Sequence, residues 1–100
     1  MLDTLEARAA DAETLLGLLA NRRRLIILCH LLRDGELSVG EIVRRLDLTQ
    51  SALSQHLALM RSAGVVSTRR EGTTIYYSLT NPRAVALMHA IKEVMCTQDA

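Results

Sequence analysis

The sequence predicts a mainly α-helical domain with a two-stranded β-wing, ordered α-α-α-α-β-β-α, and three observations carry that expectation. Apolar residues recur at three- and four-residue spacing through most of the first sixty residues. From Val65 the pattern changes to two β-rich runs, Val65–Arg70 and Thr74–Leu79, parted by Glu71-Gly72-Thr73. Asn81-Pro82 then restores a helix, with Asn at the cap and Pro in the first turn. One hundred residues hold one domain, 1–100, with a single core that is marginal as a monomer. A hydrophobic share of 49% is high for so short a chain, so part of its apolar surface is expected to lie against a partner subunit.

Each element has its own warrant. A first helix is expected over residues 3–20, with Leu5, Ala9, Ala12, Leu15, Leu16 and Leu19 on one broad face. Asn21 breaks it and caps a second helix from Arg22 to about Arg33. That helix is apolar nearly all round, from Leu25 to Leu32 with only His30 interrupting, which reads as a buried spine. Gly35 is its left-handed stop. Ser38 caps a third helix to Leu46, with Glu41 completing a capping box. Asp47-Leu48-Thr49 makes a turn, and a fourth helix runs from there to Gly64. The last helix is expected over about 82–97.

The fourth helix organises the functional reading. Leu53, Leu57 and Met60 form its apolar stripe, and the opposite face carries Gln50, Ser51, Ser54, Gln55 and Arg61. Short amides and hydroxyls both donate and accept hydrogen bonds, which is what reading base edges in a major groove requires. Two short helices joined by a tight turn, the second polar on its outer face, form a helix-turn-helix, and a hairpin directly after it is a wing. Arg69 and Arg70 give that hairpin a basic tip. Ser51, Ser54, Gln55 and His56 are the expected groove contacts, and His56 also suits a phosphate contact or packing against the wing. The net charge is only +1, but its distribution is uneven. Asp3, Glu6, Asp11 and Glu13 crowd the start, whereas Arg44, Arg45, Arg61, Arg69 and Arg70 cluster with the helix-turn-helix, as a phosphate-facing surface requires. Double-stranded DNA is the expected partner.

Other classes are disfavoured. Without Phe or Trp, and with only Tyr76 and Tyr77, the chain cannot build the aromatic platforms that stack single-stranded bases. Leu25–Leu32 is closed on both sides by arginine and is too short to span a membrane. Met1-Leu2-Asp3 lacks a basic signal-peptide start, so a cytoplasmic protein with two thiols is expected. No acid–base pair, nucleophile–base arrangement or phosphate loop suggests an enzyme, and no cofactor is expected.

Four stretches together resemble the ArsR/SmtB family of winged-helix repressors over almost the whole chain. They are Ala20-Asn21-Arg22-Arg23-Arg24-Leu25, Glu36–Ile42, Ser51-Ala52-Leu53-Ser54-Gln55-His56-Leu57 and Gly64–Gly72. The resemblance implies a homodimer joined through the first and last helices, here by the Leu5–Leu19 face and by Ala84, Leu87, Ile91 and Val94. Such a dimer reads an inverted-repeat operator with half-sites about one helical turn apart. The arsenic-sensing cysteines of the family are replaced by Ser38-Val39-Gly40. The zinc-sensing positions fall on Asn81-Pro82-Arg83 and Met95-Cys96-Thr97, which offer no full ligand set.

Cys29 and Cys96 remain, placed like the sensor pair of the family's sulfide- and persulfide-responsive branch. Taken from the residues alone, Cys29 on an apolar helix reads first as core packing. At Cys96 the helix C-terminus disfavours a thiolate and Lys92, one turn before, favours one. The resemblance implies that a reactive sulfur species, persulfide or polysulfide, is the inducer. A direct disulfide needs Cα atoms within roughly 7 Å. Thiols held slightly farther apart would be bridged only with extra sulfur. A polysulfide or disulfide bridge would tie the last helix to the spine, and a coupling of about 1–3 kcal/mol would suffice to release DNA. The alternative is a metal or metalloid sensor using Cys29, Cys96 and His30 or His89.

Overall fold

The computed structural model describes residues 2–96. In chain order its elements are α1 (Leu2–Ala7), α2 (Ala9–Leu19), α3 (Arg22–Asp34), β1 (Leu37–Ser38), α4 (Val39–Arg45), α5 (Gln50–Ser62), β2 (Val66–Glu71), β3 (Thr74–Leu79) and α6 (Pro82–Cys96). The winged-helix order is as expected, with two departures.

The single helix expected over 3–20 is two helices meeting at Arg8, although neither Gly nor Pro stands there. The Arg8 amide is shared between the carbonyls of Thr4 (3.2 Å) and Leu5 (3.1 Å), the three-centre tightening of a helix end. Its own carbonyl accepts from the Ala12 amide at 2.9 Å and restarts the helix. The second departure is β1, which pairs antiparallel with β3 (Leu37 opposite Tyr77, Ser38 opposite Tyr76) and makes a three-stranded sheet of order β1-β3-β2.

The punctuation of the chain is local chemistry. Asn21 accepts from the Arg24 amide at 3.0 Å to cap α3, and Gly35, at φ +83°, ends it. At α4 the Glu41 amide donates to the Ser38 hydroxyl (3.2 Å) and the Ser38 amide donates to Glu41 Oε1 (3.0 Å), so the capping box is complete. The Ser38 amide, and after it the Ser38 hydroxyl, hold the Glu41 carboxyl below the usual carboxylate range. Thr49 caps α5 by accepting from the Ala52 amide at 3.0 Å. At its far end the Gly64 amide donates to Arg61 (3.0 Å) and the Val65 amide to Met60 (2.9 Å), the two bonds of a Schellman motif. Gly64 sits at φ +75° there, a conformation other residues rarely adopt. In the wing, Glu71 faces Thr74, leaving Gly72-Thr73 as a two-residue loop. Gly72 is at φ +63° and Thr73 is not in the positive-φ region, which is the type II′ turn that matches strand twist. Asn81 caps α6, which is described as far as Cys96; its expected end at Thr97 lies outside the described residues.

The core lies around α3, which packs against α2, α6 and β3. Ile27, Leu28 and Leu31 share one core with Leu53, Leu57 and Met60 of α5 and with Leu18, Leu19, Leu37, Ile42, Val65, Val66, Ala84 and Met88. The spine is one-sided rather than apolar-buried all round, because Ile26 and Cys29 face outward. On α2, Leu18, which the expected face did not include, joins Leu19 in the core, while Leu16 is exposed. The radius of gyration, 14.6 Å, exceeds the roughly 13 Å of a compact domain this size. Toward the two ends of the chain, Leu5 (62%), Leu16 (51%), Val94 (68%) and Met95 (66%) are open to solvent.

Candidate nucleic-acid interface and thiol groove

α5 is held by its inner face, where Leu53, Leu57 and Met60 are fully buried. That anchoring turns Gln50, Ser51, Ser54, Gln55 and Arg61 outward, and all five are exposed. Ala58 and Leu59 share the outer surface, three and four residues beyond Gln55. Sequence reasoning passed over them because it sought polar contacts, although the helical spacing alone places them. Apolar side chains on such a face suit thymine methyl groups.

His56 is half-buried on the flank of α5. Burial, then the charges of Arg24 and Arg23, lower its pKa, so its charged neighbours are the first turn of α3. Arg24 is a strut, its Nε donating to the Leu18 carbonyl at 2.7 Å, while Arg22 and Arg23 are exposed. The Arg22–Arg24 run was the available signal for this extra positive charge beside α5. At the other end of α3, Asp34 pairs with Arg33 and Arg45, whose hydrogen bonds hold its carboxyl below the usual range and fasten α4 to α3.

The wing arginines are engaged differently. Arg70 donates through Nε to the Gly72 carbonyl at the tip (3.0 Å). Arg69 pairs with Glu36 and Glu71 and stacks on Tyr76. Tyr77, the next residue, packs instead against the core, as strand alternation requires.

Cys29 and Cys96 are both free and exposed, so Cys29 is not a core residue. They line one groove of about 580 Å³ between α3 and α6. Leu25, Leu32, Met88, Ile91 and Met95 make its apolar wall, and His30, Arg33, His89 and Lys92 supply its polar groups. Arg33 Nη2 lies 3.2 Å from His30 Nδ1, and burial followed by Arg33 and Arg45 lowers the His30 pKa. Both effects favour the neutral ring. Among the described residues no three of His, Cys, Asp and Glu gather closely enough to hold a metal ion. Among them, too, no helix is long and apolar enough to cross a membrane.

Comparison with known proteins fits this arrangement. Residues 21–68 match the family described as "Bacterial regulatory protein, arsR family". The transcriptional activator HlyU of Vibrio cholerae is 48% identical over 95% of this chain and 87% of its own length. A structure of reduced HlyU from the same organism superposes with a TM-score of 0.86 at 47% identity, covering 94% of this chain and 98% of that one. The transcriptional repressor BigR from Xylella fastidiosa superposes at 0.90 with 37% identity, over 98% and 99% of the two chains. With the winged fold, the outward polar face of α5 and these similarities together, the chain belongs to the ArsR family of bacterial DNA-binding transcriptional regulators and is not an enzyme.

Proposed function

We propose that the protein is a homodimeric, cytoplasmic repressor that binds an inverted-repeat operator and releases it when reactive sulfur bridges Cys29 and Cys96. The observation that carries this reading is the pair of free, exposed cysteines facing one groove between α3 and α6. The exposed Leu5, Leu16, Val94 and Met95 support the dimer, since they lie on α1, α2 and α6 and stay more than half open to solvent. Gln50, Ser51, Ser54 and Gln55 read bases, with Arg61 and the wing on the backbone and His56 flanking them. The description of one relative as reduced HlyU names a redox state for that protein, in keeping with thiol sensing here.

The chemistry balances without an added oxidant. A cysteine thiolate attacks the outer sulfur of an organic persulfide, R–S–SH, gaining that sulfur as Cys–S–SH while RSH leaves. When both cysteines carry the extra sulfur, the outer sulfur of one persulfide attacks the inner sulfur of the other, which closes Cys29–S–S–S–Cys96 and releases hydrogen sulfide. Attack by the second thiolate on the inner sulfur of a single persulfide gives the disulfide and expels HS⁻. Either bridge joins α6 to α3, and α6 is tied at its start to the end of α5 by Asn81 Nδ2, which donates to the Gly64 carbonyl at 3.3 Å. Metal sensing through Cys29, Cys96 and a nearby His needs a third ligand that the described residues do not gather.

Intact mass tests the sensing step. Fully reduced protein is exposed to an organic persulfide without reductant, and a thiol-blocking reagent is added afterwards. Added sulfur with both cysteines protected, and no bridge in Cys29→Ser, is the expected result. Unmodified, freely blocked cysteines would remove the sulfur reading and bring metals forward. Base reading is tested separately: Gln55→Ala relaxes sequence preference, and a uniform loss across sequences would place Gln55 on the backbone.

A further inference from the structure

Neighbouring residues on a strand point to opposite faces, so Arg69 and Arg70 leave β2 on opposite sides. Arg69 stands across the ladder from Tyr76 of β3, and Tyr76 in turn faces Ser38 of β1. The Arg69 side chain runs over the sheet along this line. Its guanidinium carbon lies 4.7 Å from the centre of the Tyr76 ring. Beyond the ring it grips Glu36, just ahead of β1, with Nε 3.0 Å from Oε2 and Nη2 2.8 Å from Oε1. The third nitrogen, Nη1, donates to Glu71 on its own strand at 2.8 Å. All three guanidinium nitrogens are thus committed to carboxylates, in the bidentate geometry that a planar fork favours.

We propose that Arg69 is a positioning residue, a clasp across the sheet that fixes the wing to the segment leading into α4, and that Arg70 carries the wing's phosphate contact. The proposal rests on the reading of the hairpin as a DNA wing. Glu36 precedes Leu37 and Ser38, the cap of α4, and α4 packs against α5. Holding Glu36 therefore sets the angle between wing and recognition helix. Delivering Arg69 to a phosphate would break both ion pairs and bring two uncompensated carboxylates to the DNA, since the Glu36–Arg69–Glu71 group carries one net negative charge. Arg70 has only its Nε engaged by described residues, on the Gly72 carbonyl at the tip, which leaves its terminal nitrogens available.

Duplex binding over a salt series separates the two roles. The probe is a fluorescent mixed-sequence duplex of about 40 base pairs, long enough for both wings of a dimer. Arg70→Ala should flatten the plot of log affinity against log salt by about 0.9 per wing. Arg69→Ala should lower affinity about fivefold with the slope kept, as expected for loss of one bidentate pair with its ring contact. Glu36→Ala decides the sign. A clasp predicts a loss like that of Arg69→Ala, with the double variant no worse than either single one. A phosphate-bound Arg69 predicts a gain, because a competing carboxylate has gone. Hydrogen exchange on the DNA-free protein keeps the clasp testable even if no duplex binds and the wing reading fails. Arg69→Ala and Glu36→Ala should both speed exchange in β1 and β3. Tighter binding by Glu36→Ala, a flattened slope in Arg69→Ala, or unchanged exchange in both variants overturns the clasp.

Discussion

Replacing Asn81 by alanine removes two joints at once. Asn81 Oδ1 accepts from the amides of Arg83 (3.0 Å) and Ala84 (3.1 Å) and so caps α6, while Nδ2 donates to the Gly64 carbonyl at the end of α5. Loss of such a cap costs about 1 kcal/mol. The bond to Gly64 is worth about 0.5–1 kcal/mol, because the freed carbonyl can turn to water. The sum, about 1.5–2 kcal/mol, corresponds to a fall in Tm of roughly 6–16 °C for a domain of this size. Asn81→Asp supplies the control. It keeps the acceptor at a helix N-terminus, where negative charge is favourable, and loses only the donor, so it should fall between alanine and the natural residue. The assay is urea and thermal unfolding at one fixed protein concentration, since dimerisation would otherwise move the midpoint. Asn81→Ala within about 0.5 kcal/mol of the parent would refute this account of the α5–α6 joint. Equal losses for Asp and Ala would assign the whole effect to the Gly64 bond.

Further outcomes follow from the same geometry. Gly64→Ala should cost about 1–2 kcal/mol in urea unfolding, the strain of a left-handed Cβ, because beyond its two chain neighbours no heavy atom lies within 4 Å of where that Cβ would stand; a loss above about 3 kcal/mol would point to a clash instead. Cys29→Ser should change stability by less than about 0.5 kcal/mol, since the residue is exposed; a larger loss would return it to the core. Stability should fall on acidification in two stages. His56 has a folded pKa lowered from its ordinary 6.5, by burial first and then Arg24 and Arg23, so its contribution is complete above 6.5 and is lost as pH falls below it. Asp34, Glu36 and Glu41, lowered chiefly by Arg45, Arg69 and the Ser38 amide respectively, keep theirs above the ordinary carboxylate range and lose it as pH falls through their folded values. His56→Gln should remove part of the first stage in urea midpoints, and a midpoint that rises between about pH 7.5 and 5.5 contradicts the assignment.

What could be read from the sequence is what nearby residues decide. Ser38 with Glu41, Thr49 before a helical stripe, Gly64 after it and Gly72 between β-rich runs all act within a few residues, and each took the structure its chemistry dictates. Features set by distant partners were not legible. β1 is only Leu37–Ser38, too short for a periodic signal, and exists because β3 offers an edge. The bend at Arg8 has no Gly or Pro to announce it. Leu15, Leu16, Leu18 and Leu19 all fit an apolar face, and only packing against α3 chose Leu18 over Leu16. The two wing arginines look alike in sequence, yet Glu36, thirty-three residues earlier, takes one of them. The cysteines lie on different helices, and only the fold brings them to one groove.

The central claim is that the dithiol form holds DNA and the bridged form does not. Fluorescence anisotropy with a duplex from the gene's own upstream region measures it, comparing reduced protein with protein bridged by an organic persulfide and with Cys29→Ser treated alike. A coupling of about 1–3 kcal/mol predicts a loss of affinity of roughly 5- to 150-fold on bridging, reversed by reductant and absent in Cys29→Ser. Equal affinity of the reduced and bridged forms would contradict the account.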